Sequence, residues 1–340
     1  MYRPGATVAG ATKLASNETP YPPLPHVLAA IAESAQRLNR YPDTFSTALS
    51  QRIADRHGVR ADQVAVGCGS VSLCSQLVLC TVEPGSEVLY AWRSFEAYPI
   101  VVALGGAVPV PVPLRDGVHD LDAMADAITE RTRLIFVCNP NNPTGTVISR
   151  ADLIAFLARV PADVLVVLDE AYIEFATAPE VPDGIALLSE HDNLVVLRTF
   201  SKAYGLAGLR VGYAIAADSA VAAALRQTQL PFVVTQVAQD AALASLDPAA
   251  ERELMERVAD LNFERERVRA GLRECGYDVR PSQANFVWLP LGGQSTQWAE
   301  ALAQRQLIVR SYPGDGVRIT IGTPAENDRV LHAARQVAGT

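Results

Sequence analysis

Short apolar runs separated by mixed segments dominate the middle of the chain. Residues 64–66, 87–90, 134–138, 164–168, 194–197 and 211–215 are nearly continuous in hydrophobic side chains. A strand that buries one face alternates apolar and polar positions, whereas a run without alternation predicts a strand covered on both faces. Between these runs, residues 70–81, 121–129, 150–158 and 219–228 carry helical patterns. Strands alternating with helices predict an α/β unit on a mostly parallel sheet.

The pattern changes towards the ends. Residues 248–276 are dense in Glu and Arg, which predicts one long solvated helix laced by i,i+4 ion pairs. A strand over 284–289, a helix near 296–305 and a strand over 317–321 then predict a smaller α+β unit. The Pro-rich stretch 20–25 reads as a loop or arm. These breaks divide the chain into a large α/β domain over 31–240, and an N-terminal arm (1–30) joined with 241–340 as the small domain. The length of 340 residues accommodates two such domains.

Composition narrows the function. The 37 acidic against 29 basic residues leave a net charge of -8, so no broad cationic surface is available for nucleic acid or an anionic membrane. The opening Met1-Tyr2-Arg3-Pro4-Gly5 lacks the form of a secretory signal, and no apolar run approaches the ~18 residues of a membrane span. Five cysteines without a Cys-x-x-Cys pair suit reduced thiols in a cytoplasmic protein. The five histidines are scattered, and no zinc-ligand spacing appears, so no metal is expected.

The cations themselves are unusual. Only Lys13 and Lys202 are lysines; the remaining 27 of the 29 are arginine. An ammonium can lose its proton near neutral pH and form an imine, and a guanidinium cannot. Lys202 stands in Thr199-Phe200-Ser201-Lys202, directly after an apolar run, with Arg210 eight residues on. Two other polar stretches follow apolar runs in the same way, Asn139-Pro140-Asn141-Asn142-Pro143-Thr144-Gly145 and Asp169-Glu170-Ala171-Tyr172. Open α/β sheets place ligands at these carboxyl ends.

Together the three stretches suit pyridoxal phosphate. Thr199, Ser201 and Arg210 offer donors to a phosphate ester. Asp169 would keep a pyridine nitrogen protonated. Asn142 and Tyr172 would hydrogen-bond the ring oxygen. Lys202 would supply the amine and then shuttle a proton. The start of the helix after Gly67-Cys68-Gly69-Ser70 adds backbone N–H groups and a favourable dipole for the phosphate.

These motifs, with Ser-Lys-Ala-Tyr-Gly-Leu-Ala-Gly-Leu-Arg over 201–210, resemble the fold-type-I pyridoxal-phosphate aminotransferases, within them the histidinol-phosphate aminotransferase branch. The likeness runs from Lys13-Leu14-Ala15-Ser16-Asn17 through Arg40-Tyr41-Pro42-Asp43 to Val317-Arg318-Ile319-Thr320. It implies a mostly parallel seven-stranded sheet flanked by helices, a smaller α+β domain, and a homodimer in which Tyr41 reaches the partner's cofactor phosphate. It also places Phe95 against the pyridine ring, Arg318 on the substrate α-carboxylate, and Arg310 and Asn17 near the substrate.

One stretch departs from the branch. Gly67-Cys68-Gly69-Ser70-Val71-Ser72 lacks the two acids usual there, which leaves phosphate donors at Ser70 and Val71 intact. With Ala-Trp-Arg-Ser-Phe-Glu-Ala-Tyr-Pro-Ile over 91–100, it resembles the actinobacterial aromatic amino acid (phenylalanine) aminotransferases. The implied reaction moves the amino group of phenylalanine, tyrosine or tryptophan to 2-oxoglutarate, giving the aryl-pyruvate and glutamate; histidinol phosphate is the alternative substrate.

Three rivals fit less well. A dinucleotide site would need a third glycine where Ser72 stands, and an acid at the far end of the strand that begins with Glu87. A decarboxylase would not pin the α-carboxylate in the ring plane as Arg318 does. A cofactor-bearing regulatory domain would want a basic helix-turn-helix segment, and none is present.

Overall fold

All six apolar runs form strands, and an edge strand outside that pattern joins them in the computed structural model, which describes residues 10–339. The opening Met1–Gly5, read above for targeting, lies outside the described residues. In chain order the first half comprises β1 (Thr12–Leu14), α1 (Pro25–Ala35), α2 (Thr47–His57), β2 (Val64–Gly67), α3 (Gly69–Thr81), β3 (Glu87–Trp92), α4 (Ala97–Leu104), β4 (Val108–Pro113), α5 (Leu121–Asp126), β5 (Thr132–Cys138) and α6 (Arg150–Leu157). The second half comprises β6 (Leu165–Asp169), β7 (Leu194–Thr199), β8 (Gly212–Ala216), α7 (Ser219–Thr228), α8 (Gln236–Ser245), α9 (Pro248–Glu274), β9 (Phe286–Leu289), α10 (Ser295–Ala303), β10 (Leu307–Tyr312), β11 (Gly316–Thr320) and α11 (Pro324–Ala338).

The large sheet has the order β2-β8-β7-β6-β5-β3-β4, and only β8 runs against its neighbours. Its central strands are buried on both faces, as the unbroken apolar runs require. Leu134, Phe136, Val167 and Leu197 pack with Leu73, Leu77 and Val101 of α3 and α4. Ile135, Val137, Val166 and Val196 face the other way, in the cluster that holds Met124, Leu153 and Phe156 of α5 and α6. Each such fully buried side chain contributes roughly 1.5–3 kcal/mol.

Register then positions chemistry. Cys138 pairs with Asp169, Asp169 with Leu197, and Thr199 with Gly212. The carboxyl ends of β5, β6 and β7 therefore lie side by side, and the three polar stretches leave the sheet at one rim. On the opposite face Glu170 forms a buried ion pair with Arg198, Oε2 to Nε 2.9 Å, and accepts the Gly184 N–H at 2.7 Å.

A second sheet has the order β1-β10-β11-β9, with β1 parallel to β10 and the rest antiparallel. Thr12–Leu14 of the N-terminal arm is thus a strand of the C-terminal sheet, while residues 20–24 run as the expected loop.

Some elements differ from the sequence reading. The predicted helix 121–129 stops at Asp126, because Thr129 turns to donate its hydroxyl to Glu87 Oε2 at 2.5 Å. Glu87, rejected above as a ribose ligand, is held there at the start of β3. Helix α9 is not simply solvated. Arg265 is 2% exposed and donates to the carbonyls of Phe175 at 3.2 Å and Ala284 at 3.1 Å, tying this helix to two distant segments. Its surface ion pairs include Arg267–Glu264 and Arg269–Glu266 at i,i+3, and Arg257–Glu253 at i,i+4.

Candidate active site

The rim opens into a cavity of about 820 Å³. Asn142, Asp169, Thr199, Ser201 and Lys202 reach it from the strand ends, and Tyr172 and Arg210 from the segments that follow. Ser70 and Val71 enter from the start of α3, Phe95 from the loop before α4, Asn17 from the arm, and Arg318 from β11. Twelve residues scattered over 300 positions in the chain meet in one cavity because the parallel strands β5, β6 and β7 end together and the second sheet brings Asn17 and Arg318 to the same rim.

Asp169 lies at its floor, 2% exposed. Its Oδ2 accepts the hydroxyl of Tyr98 at 2.9 Å, and its Oδ1 is buried with no partner. Burial raises its pKa to about 6, against the hydrogen bonds from Tyr98 and the Ala171 N–H. An orphaned, buried carboxylate oxygen is costly unless a cation or donor meets it. The nitrogen of a protonated pyridine ring supplies such a donor.

Lys202 Nζ donates to the Ser16 carbonyl at 3.2 Å. Desolvation first, and the Arg318 charge next, bring its pKa down to about 7. A substantial share of the amine is therefore unprotonated and nucleophilic at neutral pH. Tyr172 accepts the Asn17 amide at 2.9 Å, which leaves its own O–H free to donate. Asn142 gives its carbonyl oxygen to Arg318, leaving its amide N–H groups for a ligand.

Opposite lies an anion cradle. Helix α3 has no side-chain cap, so the first-turn N–H groups remain available. Gly69 has φ +75°, and a Cβ there would stand 2.6 Å from Arg210 Nη2. Arg210 Nη1 reaches Ser201 Oγ at 3.5 Å, and Thr199 Oγ1 receives the Ser201 N–H at 3.1 Å.

Two predicted residues stand apart. Arg310 is directly opposite Arg318 across the β10–β11 ladder, but its Nη2 is engaged by Glu96 at 2.7 Å, and it is Glu96 that lines the cavity. Tyr41 is 82% exposed on the outer surface, stacked on Phe232 with centroids 4.5 Å apart. Arg318 sends Nη2 to the Ala15 carbonyl at 2.6 Å, and its Nε is buried without a partner. Asn17 is locked by Thr320 and Asn285, so it holds Tyr172 as well as lining the cavity.

Residues 9–333 match the family model described as aminotransferase class I and II. The chain belongs to that family. It is 59% identical over 335 residues to an aromatic amino acid aminotransferase of Streptomyces avermitilis, covering 97% of this chain and 92% of the relative. A protein of the same name from Streptomyces coelicolor is 56% identical over 340 residues, with 98% and 94% covered. Among solved structures, histidinol-phosphate aminotransferase from Sinorhizobium meliloti in complex with pyridoxal-5'-phosphate superposes with a TM-score of 0.88 at 29% identity, covering 97% of this chain and 91% of that one.

The donor set fits the cofactor that the sequence implies. The orphaned Asp169 Oδ1 suits the ring nitrogen, the cradle of Gly69, α3 and Arg210 suits a phosphate ester, and Lys202 lines the same cavity. Among the described residues, no group of three or more His, Cys, Asp or Glu is placed to hold a metal, and no helix is long and apolar enough to cross a membrane. Sequence reasoning missed Tyr98 and Glu96. Both lie in the quoted stretch 91–100, but nothing in their spacing says that one meets Asp169 and the other Arg310.

Proposed function

We propose that this aminotransferase acts on aromatic L-amino acids, with 2-oxoglutarate as acceptor and pyridoxal phosphate as cofactor. The observation that carries the reading is the convergence in one cavity of Asp169, Lys202 and the Arg210 cradle with an apolar wall of Phe95, Ala97, Ile100, Val101, Leu104 and Val233. Such a wall suits an aromatic side chain, and the names of relatives at 53–59% identity support that choice. When bound, pyridoxal phosphate supplies an aldehyde for an amine and a ring that accepts electron density from substrate Cα.

Each residue has a task in this reading. Asp169 holds a proton at the ring nitrogen. Tyr172 and Asn142 donate hydrogen bonds to the ring oxygen. Arg318 binds the α-carboxylate, for which a planar fork is suited, and so orients the Cα–H bond. Lys202 Nζ would supply the amine that holds the cofactor and is the base placed to take the Cα proton and return it. Ser70, Val71, Thr199, Ser201 and Arg210 hold the phosphate. Arg310 stays near the substrate behind Glu96, which lines the cavity. The exposed Tyr41–Phe232 stack lies next in sequence to Val233 of the cavity wall, which supports a homodimer with Tyr41 reaching the partner's phosphate. The proposed compartment is the cytoplasm.

The test compares deamination of phenylalanine, with 2-oxoglutarate present, against histidinol phosphate. A phenylalanine preference in kcat/KM is expected. A preference for histidinol phosphate above about tenfold, ~1.4 kcal/mol in transition-state binding, overturns the substrate assignment. Loss of all turnover in Lys202→Ala is expected in either case.

A further inference from the structure

Tyr98 lies behind the cavity floor, against Asp169, and nothing yet assigns it a task. It is fully buried in α4, its ring is stacked on Phe136 at 4.6 Å and 9°, and its edge contact with Phe95 is 5.5 Å between centroids. A phenol in such a place could be core filling with an incidental hydroxyl. The hydroxyl is not incidental, because its partner is Asp169 Oδ2 at 2.9 Å, and the other carboxylate oxygen is left open. A tyrosine hydroxyl facing a carboxylate can only donate, so the bond both favours the ionised carboxylate and fixes its rotation about χ2. With Oδ2 tied to α4, Oδ1 is the oxygen directed at the ligand.

We infer that Tyr98 is a positioning residue for the cofactor, acting through Asp169: its hydroxyl selects which carboxylate oxygen meets the ring nitrogen and holds that carboxylate charged. The inference rests on the proposed cofactor. Its physical need is clear from the surroundings. The groups facing Asp169 are Tyr98 from α4, Cys74 from α3, Cys138 from β5 and Lys202 beyond β7. Of these, only Lys202 is cationic, and its charge is itself depleted near neutral pH. Burial alone would drive the carboxyl towards its neutral form, which would compete with the ring nitrogen for the proton. The tyrosine donor is the one neutral hydrogen bond from a side chain that opposes this.

The experiment is a double-mutant cycle on the full-length protein, read by pyridoxal phosphate binding rather than by turnover. Tyr98→Phe removes one oxygen and retains the ring stack. In the Asp169 protein it is expected to weaken pyridoxal phosphate about tenfold, the scale of one hydrogen bond to a charged group. It should also shift the pH midpoint of the bound cofactor's absorbance. In an Asp169→Asn background the same change is expected to move neither quantity, since the carboxylate through which it acts is gone. Equal losses in both backgrounds, no loss in either, or a Tyr98→Phe protein that fails to fold without cofactor would each overturn the inference by giving the tyrosine a packing role or none. A wild-type protein that binds no pyridoxal phosphate would instead sink the cofactor reading on which it stands.

Discussion

Gly69→Ala separates the chemistry of the cradle from the stability of the fold. The substitution adds a methyl group at φ +75°, where an L-residue loses roughly 1–2 kcal/mol. The new Cβ stands 2.6 Å from Arg210 Nη2, so one of the two must move. Arg210 is exposed and its guanidinium is the free end of a flexible chain, so it moves at little further cost to folding. What it loses is its place beside α3. A displaced Arg–phosphate contact is worth ~1.5–3 kcal/mol, about 10- to 100-fold in affinity. Urea unfolding of the cofactor-free protein should therefore show a loss of about 1–2 kcal/mol, while pyridoxal phosphate binding falls by one to two orders of magnitude. Pyridoxal, which lacks the phosphate, should bind the variant and the wild type alike. Gly212→Ala provides the contrast, because its Cβ would meet backbone on three sides, Ser70 N at 2.8 Å, Arg198 O at 3.0 Å and Gly69 C at 3.1 Å. Nothing there can swing away, and the loss should fall on stability. If Gly69→Ala weakens pyridoxal as much as pyridoxal phosphate, the cradle does not hold a phosphate and the argument fails.

Three other outcomes follow from the same structure. In the cofactor-free protein, acetylation of Lys202 by acetic anhydride should rise through pH 7 and then level off, because the amine is neutral above that point; a rise that continues to pH 10 contradicts the depressed value. Arg198→Met leaves Glu170 as a buried carboxylate without its cation, so urea unfolding should show a loss of about 3–5 kcal/mol, and a loss below 1 kcal/mol would deny that the pair is buried. Mixing Tyr41→Ala and Lys202→Ala subunits should restore part of the activity that each lacks, and hybrids as inactive as their parents would remove Tyr41 from the partner's site.

Much of the large sheet was legible because its strands are buried on both faces and so write their positions as unbroken apolar runs. Strand β4 was not, since Val108–Pro113 alternates valine with proline, and proline cannot donate to a ladder. It is tolerated because β4 is the sheet edge, bonded only to β3. The cavity-lining side chains were legible where the chemistry is local to a strand end, as at Asp169, Asn142 and Lys202. Contacts made by folding were not. Arg265 looks like its neighbours in a Glu/Arg-rich helix, yet it is the one that caps two remote carbonyls. The engagement of Arg310 by Glu96 joins positions more than 200 residues apart, which no spacing rule reports. Lys13, the other lysine, is paired at 3.1 Å with Glu18 on the surface, an exposed contact with no chemical task.

The arm that joins the C-terminal sheet ties the start of the chain to its end. The groups proposed to meet ring nitrogen, amine and phosphate within one chain lie between Gly69 and Arg210. Asn17, on the same cavity, depends on the far end of the chain: its N–H bonds Thr320 Oγ1 at 2.9 Å and its carbonyl accepts from Asn285 at 3.1 Å. All of these groups are synthesised before Thr320, the partner that Asn17 meets some 300 residues downstream. The cavity is therefore completed only where the two ends of the chain meet, and Arg318 comes to it on the same strand as the Thr320 that holds Asn17.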